Sequence, residues 1–409
     1  MNQTRRQLLT TMGLGGAALA LPRGARAQKK YDPGASDTEI KIGNTMPYSS
    51  PLSSAGTVFG GCLTAFFKMI NAEGGINGRR INFISYDDAY SPPKTVEQTR
   101  KLVESDRVLF IFCGAGTPTQ SAVLKYMNEK KVPQLFIFSG ANKFADPKHF
   151  PWTIPFPPNY EGVGRIYASY ILAKHPVAKI GVLYQNDDFG KDYLNGLLDG
   201  LGGKAASLVK VKVSYETTDP TVDSQIVQMN AAGCDVFLLI AIPKFEAQAI
   251  RKVAEIEWKP LFITNGIAAS VGAAFKPAGL ENCKGIVTDN SFKDPTDPEW
   301  KDDAGYNEWA GFMDKYYPNG DKSDNAAVYG PSIAATTVQV LKQCGDELTR
   351  ENVMRQAANL HNFALPMLQP GITINTSPTE FVAITQVRME RFYGQRFQTF
   401  GPVLSAAIS

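Results

Sequence analysis

Histidine and cysteine are scarce in this sequence, and neither sign of charge dominates it. Three histidines and five cysteines among 409 residues are little material for a metal centre and too few for a disulfide framework. The formal net charge is +3, but residues 1–27 contribute four arginines and no acid, so the rest carries 38 basic and 39 acidic side chains. Such a nearly neutral body has no broad electrostatic attraction for a polyanion, so we expect no nucleic-acid binding.

Long apolar runs are also missing beyond the first 30 residues. No later segment has 18 uninterrupted apolar residues, so the sequence predicts no membrane-spanning helix there. A hydrophobic content of 44% with 20% charged residues is typical of a folded globular protein. The length favours two domains, each with its own core.

The first 27 residues have the pattern of an export signal. A basic start with Arg5 and Arg6 precedes a short apolar stretch, and a small-x-small cleavage signal ends at Ala27. The paired arginines resemble a twin-arginine signal, and an ordinary secretory signal is the alternative. We therefore expect cleavage near Ala27 and a periplasmic mature protein.

Short apolar strands alternate with amphipathic helices from residue 38 onward. Strands are predicted, among others, at 107–113 and 379–389, and helices at 160–174 and 325–343. A proline-rich segment at 150–158 interrupts the alternation, which then restarts. Strands separated by helices require parallel sheets covered on both faces, so two doubly wound α/β lobes are predicted.

Ligands of open parallel sheets bind beyond the carboxyl ends of the strands. Six loops take that position: 45–48, 113–118, 139–142, 186–189, 241–244 and 264–266. In the loop Cys113–Pro118, the glycines allow a close backbone approach, Thr117 is expected to cap the next helix, and Pro118 suits its first turn. The free amides of that helix end would attract a carboxylate. The alternative is a glycine-rich turn that only caps a helix.

The sequence lacks recognisable catalytic motifs. The sequence has no nucleophile–base arrangement and no GxxxxGK phosphate loop. The acidic pairs 87–88 and 187–188 end strands, where helix capping or hinge hydrogen bonds are favoured over a metal. We expect no cofactor and no metal, and this composition favours ligand binding over catalysis.

Several segments resemble the periplasmic leucine/isoleucine/valine-binding proteins. The resemblance rests on INAEGGINGRR at 70–80, on GTPTQSA at 116–122 and on KIGVLYQNDDFGKDYLNGL at 179–197, and it covers nearly the whole mature chain. It implies a type I periplasmic binding fold: two doubly wound parallel-sheet lobes joined by a three-strand hinge. The lobes would comprise residues 37–155 with 288–364, and 156–287 with 365–409.

The resemblance also implies a function. A monomer would capture a small solute in the interlobe cleft and deliver it to the membrane permease and ATPase subunits of an ABC importer. A sensory partner in place of the importer, and an exported enzyme on the same scaffold, are the alternatives.

The sequence departs from the amino-acid-binding members of that family. Their second-lobe glutamate, which holds the ligand ammonium, is replaced by Asn265 and Gly266, and Ala55 stands in place of a common aromatic residue. Burying an ammonium without a countercharge costs several kcal/mol. The stretch 365–394 resembles members that take up aromatic or aliphatic acids. We therefore expect a carboxylate without an α-amino group, with a branched-chain or other amino acid as the alternative.

Thirteen residues are predicted to form the site. Thr117, Gly116 and Asn142 would hold the carboxylate, and Phe189 would cover it from the second lobe. The remaining candidates are Tyr48, Ala55, Cys113, Gly140, Ala141, Ile242 and Asn265, with Phe156 and Tyr329 as weaker ones for which core or hinge packing is favoured. Lys244 and Arg165 are the cations available if amides do not hold the anion. Family members often have a disulfide-bonded cysteine at the position of Cys113. The partner position in this sequence is Tyr90, so no such bridge is expected.

Overall fold

Two mostly parallel sheets, covered by helices, organise the chain. The computed structural model describes residues 29–50 and 52–407. The strands are β1 Lys30–Tyr31, β2 Glu39–Met46, β3 Arg80–Asp87, β4 Ile111–Phe112, β5 Gln134–Ile137, β6 Thr153–Pro155, β7 Ile180–Gln185, β8 Val209–Tyr215, β9 Val236–Ile240, β10 Leu261–Thr264, β11 Val287–Asn290, β12 Glu347–Leu348, β13 Gln386–Phe392 and β14 Phe397–Ser405.

Helices cover the faces of these sheets. They are α1 Ser53–Ala72, α2 Pro92–Arg100, α3 Thr117–Glu129, α4 Tyr160–Lys174, α5 Asp188–Leu201, α6 Ala205–Leu208, α7 Asp223–Ala231, α8 Pro243–Glu255, α9 Lys276–Ala278, α10 Ala304–Tyr316, α11 Ala326–Cys344 and α12 Arg350–Ala357. Among the described residues, none of these helices is long and apolar enough to cross a bilayer.

Each sheet defines one lobe. The first lobe has the strand order β3-β2-β4-β5-β6, all parallel. The second has the order β14-β13-β11-β10-β9-β7-β8, with β13 antiparallel to both of its neighbours. All five residues of β9, an interior strand of this sheet, are buried, as expected for a strand with helices on both faces. The predicted type I periplasmic binding fold is confirmed.

The chain crosses between the lobes three times. The first crossing follows Pro155, the end of β6. The second follows Asn290, because the whole of β11 pairs in the second sheet, slightly later than the predicted boundary at 287/288. The third lies near residue 385, about twenty residues later than predicted. Residues 365–384 supply eight side chains to the first lobe's core: Leu365, Met367, Leu368, Ile372, Ile374, Phe381, Ala383 and Ile384.

Two predicted strands are shorter than expected. The segment 107–113 is regular only at Ile111–Phe112, because Arg107 and Cys113 both have positive φ angles, 55° and 51°, which break a strand at either end. The segment 379–389 becomes a strand only from Gln386, since the residues before it belong to the hinge: the Ala383 N–H donates to the Pro155 carbonyl at 3.3 Å.

All five cysteines are free and buried, at positions 62, 113, 234, 283 and 344. The family resemblance implies position 90 as the partner of Cys113, and this position is a tyrosine. Burial raises the pKa of the Cys113 thiol well above its usual value. Neither the exposure nor the thiolate needed for reaction is therefore available in the folded chain.

Thiol titration checks this arrangement. Without reductant, we expect a disulfide reagent to modify five thiols in guanidinium chloride and fewer than one, on the same time scale, in the native protein. Three thiols in the denatured chain would instead reveal a disulfide and contradict the structure.

Candidate functional site

A cavity between the lobes collects the ends of several strands. The empty space between its walls and out into its solvent-open mouth is about 610 Å³. The first lobe contributes Met46, Pro47, Leu52, Ala55, Gly56, Phe59, Tyr90, Ala115, Gly116, Thr117, Phe138, Asn325 and Ala326, and the second lobe contributes Tyr160, Phe189, Ile242, Pro243 and Ile267. None of these described lining residues carries a carboxyl group or a basic side chain.

The loop before α3 forms one polar end of the cavity. Gly116 is the residue before the helix and has a φ of 101°, a conformation that favours glycine. Pro118 has no N–H, so the amides of Thr117 and Thr119 are the unpaired donors of the first turn. Together with the positive end of the helix dipole, they suit a negatively charged group.

Hydroxyl groups surround these amides. Thr117 Oγ1 lies 2.7 Å from Ser139 Oγ, and the Tyr160 hydroxyl is close to both. Burial raises the pKa of Tyr160 to about 12, so its hydroxyl keeps its proton and remains a donor at neutral pH.

The prediction that Thr117 caps α3 is wrong. Thr117 is the first helical residue and makes no capping bond, whereas Thr119 Oγ1 donates to the Ala115 carbonyl at 2.6 Å.

Tyr90 of the first lobe brings a further hydroxyl group to the cavity. Its Oη accepts a hydrogen bond from Gln185 Nε2 of the second lobe at 3.3 Å. Gln185 Oε1 in turn accepts from the Tyr215 hydroxyl at 3.0 Å, and that hydroxyl accepts the Ile242 N–H at 3.1 Å. Since the Tyr90 oxygen is the acceptor in this chain, its own proton is free for a ligand.

Aromatic rings make most of the remaining wall. Phe59 and Phe138 of the first lobe lie edge to face, with centroids 4.8 Å apart. Tyr160 and Phe189 of the second lobe do the same at 5.3 Å. Asp187 fixes Phe189, since its carboxylate accepts the Phe189 N–H at 3.0 Å and so caps α5. The site therefore combines neutral donors with apolar, mostly aromatic walls.

Hydrogen bonds across the boundary hold the lobes closed on both sides of the cavity. On one side, the Asn142 N–H donates to Asp192 Oδ2 at 2.8 Å, and Lys143 pairs with Asp188. On the other, Ser270 Oγ donates to Asp324 Oδ1 at 3.3 Å. Burial raises the pKa values of Asp192 and Asp324 to about 6, because closure removes both carboxylates from water.

Five of the predicted residues line the cavity: Ala55, Gly116, Thr117, Phe189 and Ile242. Eight lie outside the lining. Asn142 does not face the cavity, because its amide bonds to Asn159 and Glu161. Asn265 is turned into its own loop, donating to the Ala241 carbonyl at 3.0 Å and accepting the Ala268 N–H at 3.1 Å.

The other six are structural neighbours of the cavity. Cys113, Gly140, Ala141 and Phe156 are buried beneath its walls, Tyr48 bonds to Ser85 Oγ on the first lobe, and Tyr329 packs behind Phe138 with centroids 4.9 Å apart. Neither alternative cation lies in the lining: Lys244 sits over the Phe245 ring, and Arg165 pairs with Glu161.

Sequence reasoning missed four candidates for ligand contact in the lining: Tyr90, Phe59, Phe138 and Asn325. The substitution of Tyr90 for a family cysteine was a usable signal, because a tyrosine at a strand-end loop has no disulfide role. The other three belong to helices or strand ends whose approach to the cavity depends on how the lobes close.

A glycine comparison tests the loop before α3. Gly116 and Gly74 share a φ of 101°, but a Cβ at Gly116 would lie 2.3 Å from the Tyr90 ring, whereas a Cβ at Gly74 meets nothing within 4 Å. Backbone strain of roughly 1–2 kcal/mol applies to both, and overpacking adds about 1–3 kcal/mol at Gly116 alone. At about 2–4 °C per kcal/mol, we expect Gly116→Ala to lower Tm by roughly 5 °C more than Gly74→Ala. Equal losses would contradict the close approach of Tyr90.

The sequence is similar to those of known periplasmic binding proteins. A model of the periplasmic binding protein family matches residues 39–390. An "Amino acid binding protein" of Pseudomonas aeruginosa is 22% identical over 269 residues, which cover 61% of this chain and 66% of that protein, just under two thirds of its length.

Solved structures share the fold. A fatty acid ABC transporter substrate-binding protein from Thermomonospora curvata superimposes with a TM-score of 0.76 at 20% identity, covering 92% of this chain and 95% of that one. A branched chain amino acid ABC transporter protein from Thermus thermophilus with bound valine gives a TM-score of 0.79 at 15% identity, covering 90% and 97%.

Proposed function

We propose, starting from the fact that the chain belongs to the periplasmic binding protein family, that it is the solute-binding component of an ABC importer. It captures a small organic carboxylate, aromatic or aliphatic, in the cavity between its lobes and releases it unchanged. It acts in the periplasm as a monomer and hands the ligand to membrane permease and ATPase subunits. The export signal that would send it there, residues 1–27, lies outside the described residues.

The observation that carries the proposal is the neutral lining of the cavity. A carboxylate needs donors, and the Thr117 amide with the hydroxyl groups of Thr117 and Tyr160 would supply them at one end. An α-ammonium, adjacent to that carboxylate, would need an acid there, and the described lining has none. Leaving a buried charge unpaired costs several kcal/mol, a large part of the roughly 8 kcal/mol of a micromolar complex.

The rings supply the rest of the affinity. Covering about 100 Å² of ligand with Phe189 contributes about 2.5 kcal/mol at ~25 cal/mol per Å². Because Phe189 and Ile242 belong to the second lobe and Thr117 to the first, a ligand that touches all three stabilises the closed form over an open one. A permease that recognises the closed form would then accept only loaded protein.

The relatives support two ligand classes. The Thermomonospora curvata neighbour is named for fatty acids, which are carboxylates without an amine and agree with the proposal. The Pseudomonas aeruginosa and Thermus thermophilus proteins are named for amino acids, so an amino-acid ligand is the second candidate.

Calorimetry separates these two candidates. We expect benzoate or cinnamate to bind at least 100-fold more tightly than leucine, isoleucine or valine, because only the amino acids bury an ammonium. Binding of leucine as tightly as either acid would refute the proposed ligand class.

The same titrations identify the carboxylate end. Thr117→Val keeps the shape and the amide but removes the hydroxyl, and a hydrogen bond to a charged group contributes about 1.5–3 kcal/mol, so affinity for the acid should fall about 10- to 100-fold. Thr57→Val, on the exposed face of α1, is the matched control and should bind like the wild type. Unchanged binding by Thr117→Val would place the carboxylate elsewhere.

A further inference from the structure

Four lining side chains are polar: Tyr90, Thr117, Tyr160 and Asn325. The first three carry hydroxyl groups and can donate to a carboxylate. Asn325 is different, because its amide nitrogen is already engaged. It donates to the carbonyls of Gly266 at 3.4 Å and Ile267 at 3.1 Å.

Those two partners fix the orientation of the amide. A carbonyl oxygen only accepts hydrogen bonds, so the nitrogen of Asn325 must face Gly266 and Ile267, and Oδ1 must face away from them. Within residues 29–50 and 52–407, no donor is within hydrogen-bond distance of this Oδ1. The cavity wall therefore presents one oxygen that accepts and cannot donate.

An ionised carboxylate also accepts and cannot donate. A ligand that offers only a carboxylate and an apolar body would displace water from Asn325 Oδ1 without replacing its hydrogen bond, at a cost in affinity. Asn325 shares no hydrogen bond with Thr117, Ser139 or Tyr160, the groups at the carboxylate end; its partners are on the loop Gly266–Ser270 of the second lobe.

The donor that meets Oδ1 is neutral. An ammonium would need a carboxylate nearby, and that of the preceding residue, Asp324, is outside the lining with its Oδ1 accepting from Ser270 Oγ and the Ala326 N–H. A hydroxyl group needs no countercharge and completes the bond that Oδ1 lacks.

We propose that the ligand carries a hydroxyl group on the part of its body remote from the carboxylate, and that Asn325 Oδ1 accepts a hydrogen bond from it. This inference rests on the proposed function and narrows it to hydroxy-substituted organic acids. Because the Asn325 amide is oriented by bonds across the interlobe boundary, the acceptor is in place only in the closed form. The hydroxyl group would therefore add to the stability of the closed state.

A protein-by-ligand double-mutant cycle tests this assignment. Benzoate, 3-hydroxybenzoate and 4-hydroxybenzoate are titrated into the wild type and into Asn325→Leu. In the wild type we expect at least one hydroxy isomer to bind about 10-fold or more tightly than benzoate; in Asn325→Leu this preference should fall to within twofold. Loss of the interlobe bonds in the variant affects all three ligands and cancels in the ratio. Asn142→Leu, which alters an amide outside the lining, is the matched control and should keep the wild-type preference.

The outcomes are distinct. Equal binding of benzoate and both hydroxy isomers by the wild type would overturn the inference and leave the proposed function standing. A preference that persists in Asn325→Leu would show that another residue meets the hydroxyl group. Failure of all three acids to bind would refute the aromatic-acid class and this inference with it.

Discussion

A carboxylate taken out of water must be met by donors, and under the proposed function the cavity between the two lobes has to supply them without a cation in its described lining. This constraint explains why the amide and hydroxyl of Thr117, the hydroxyl of Tyr160 and the hydroxyl of Tyr90 are important. It also explains the conformation of Gly116, whose positive φ lets the chain turn directly into α3 beside the cavity. Elsewhere the wall is apolar, so a second charge on the ligand has no partner.

Closure of the lobes is held by contacts that are individually weak. The Lys143–Asp188 pair is partly exposed, and such pairs contribute about 0–1 kcal/mol each. Asp192 and Asp324 lose hydration when the lobes meet, as their raised pKa values show. A closed form stabilised so modestly is one that a ligand can favour by its own contacts, which suits a protein that must bind and then release.

Sequence patterning predicted the architecture because both lobes repeat one physical rule, a buried strand followed by an amphipathic helix. The helix predicted at 160–174 has those bounds in the structure. The predicted boundaries were wrong where conformation depends on other parts of the chain. The third crossing is late because residues 365–384 fill the first lobe's core, and the strand predicted at 107–113 is shortened between Arg107 and Cys113, which have positive φ angles.

The rule that ligands bind beyond the carboxyl ends of parallel strands identified the loop of Gly116 and Thr117 and the start of α5 at Phe189. The same rule could not distinguish Asn142 from Asn325. The side-chain amide of Asn142 bonds to Asn159 and Glu161, whereas Asn325 lies in the cavity lining. That difference is set by tertiary hydrogen bonds.

Native mass spectrometry of freshly purified protein tests the central claim most directly, since a closed cleft can retain its ligand through purification. The account predicts an adduct whose released small molecule is an organic acid without an amino group, identified by its exact mass and fragmentation. Release of leucine, valine or another amino acid would contradict it, because a zwitterion has no countercharge for its ammonium in the described lining of this cavity.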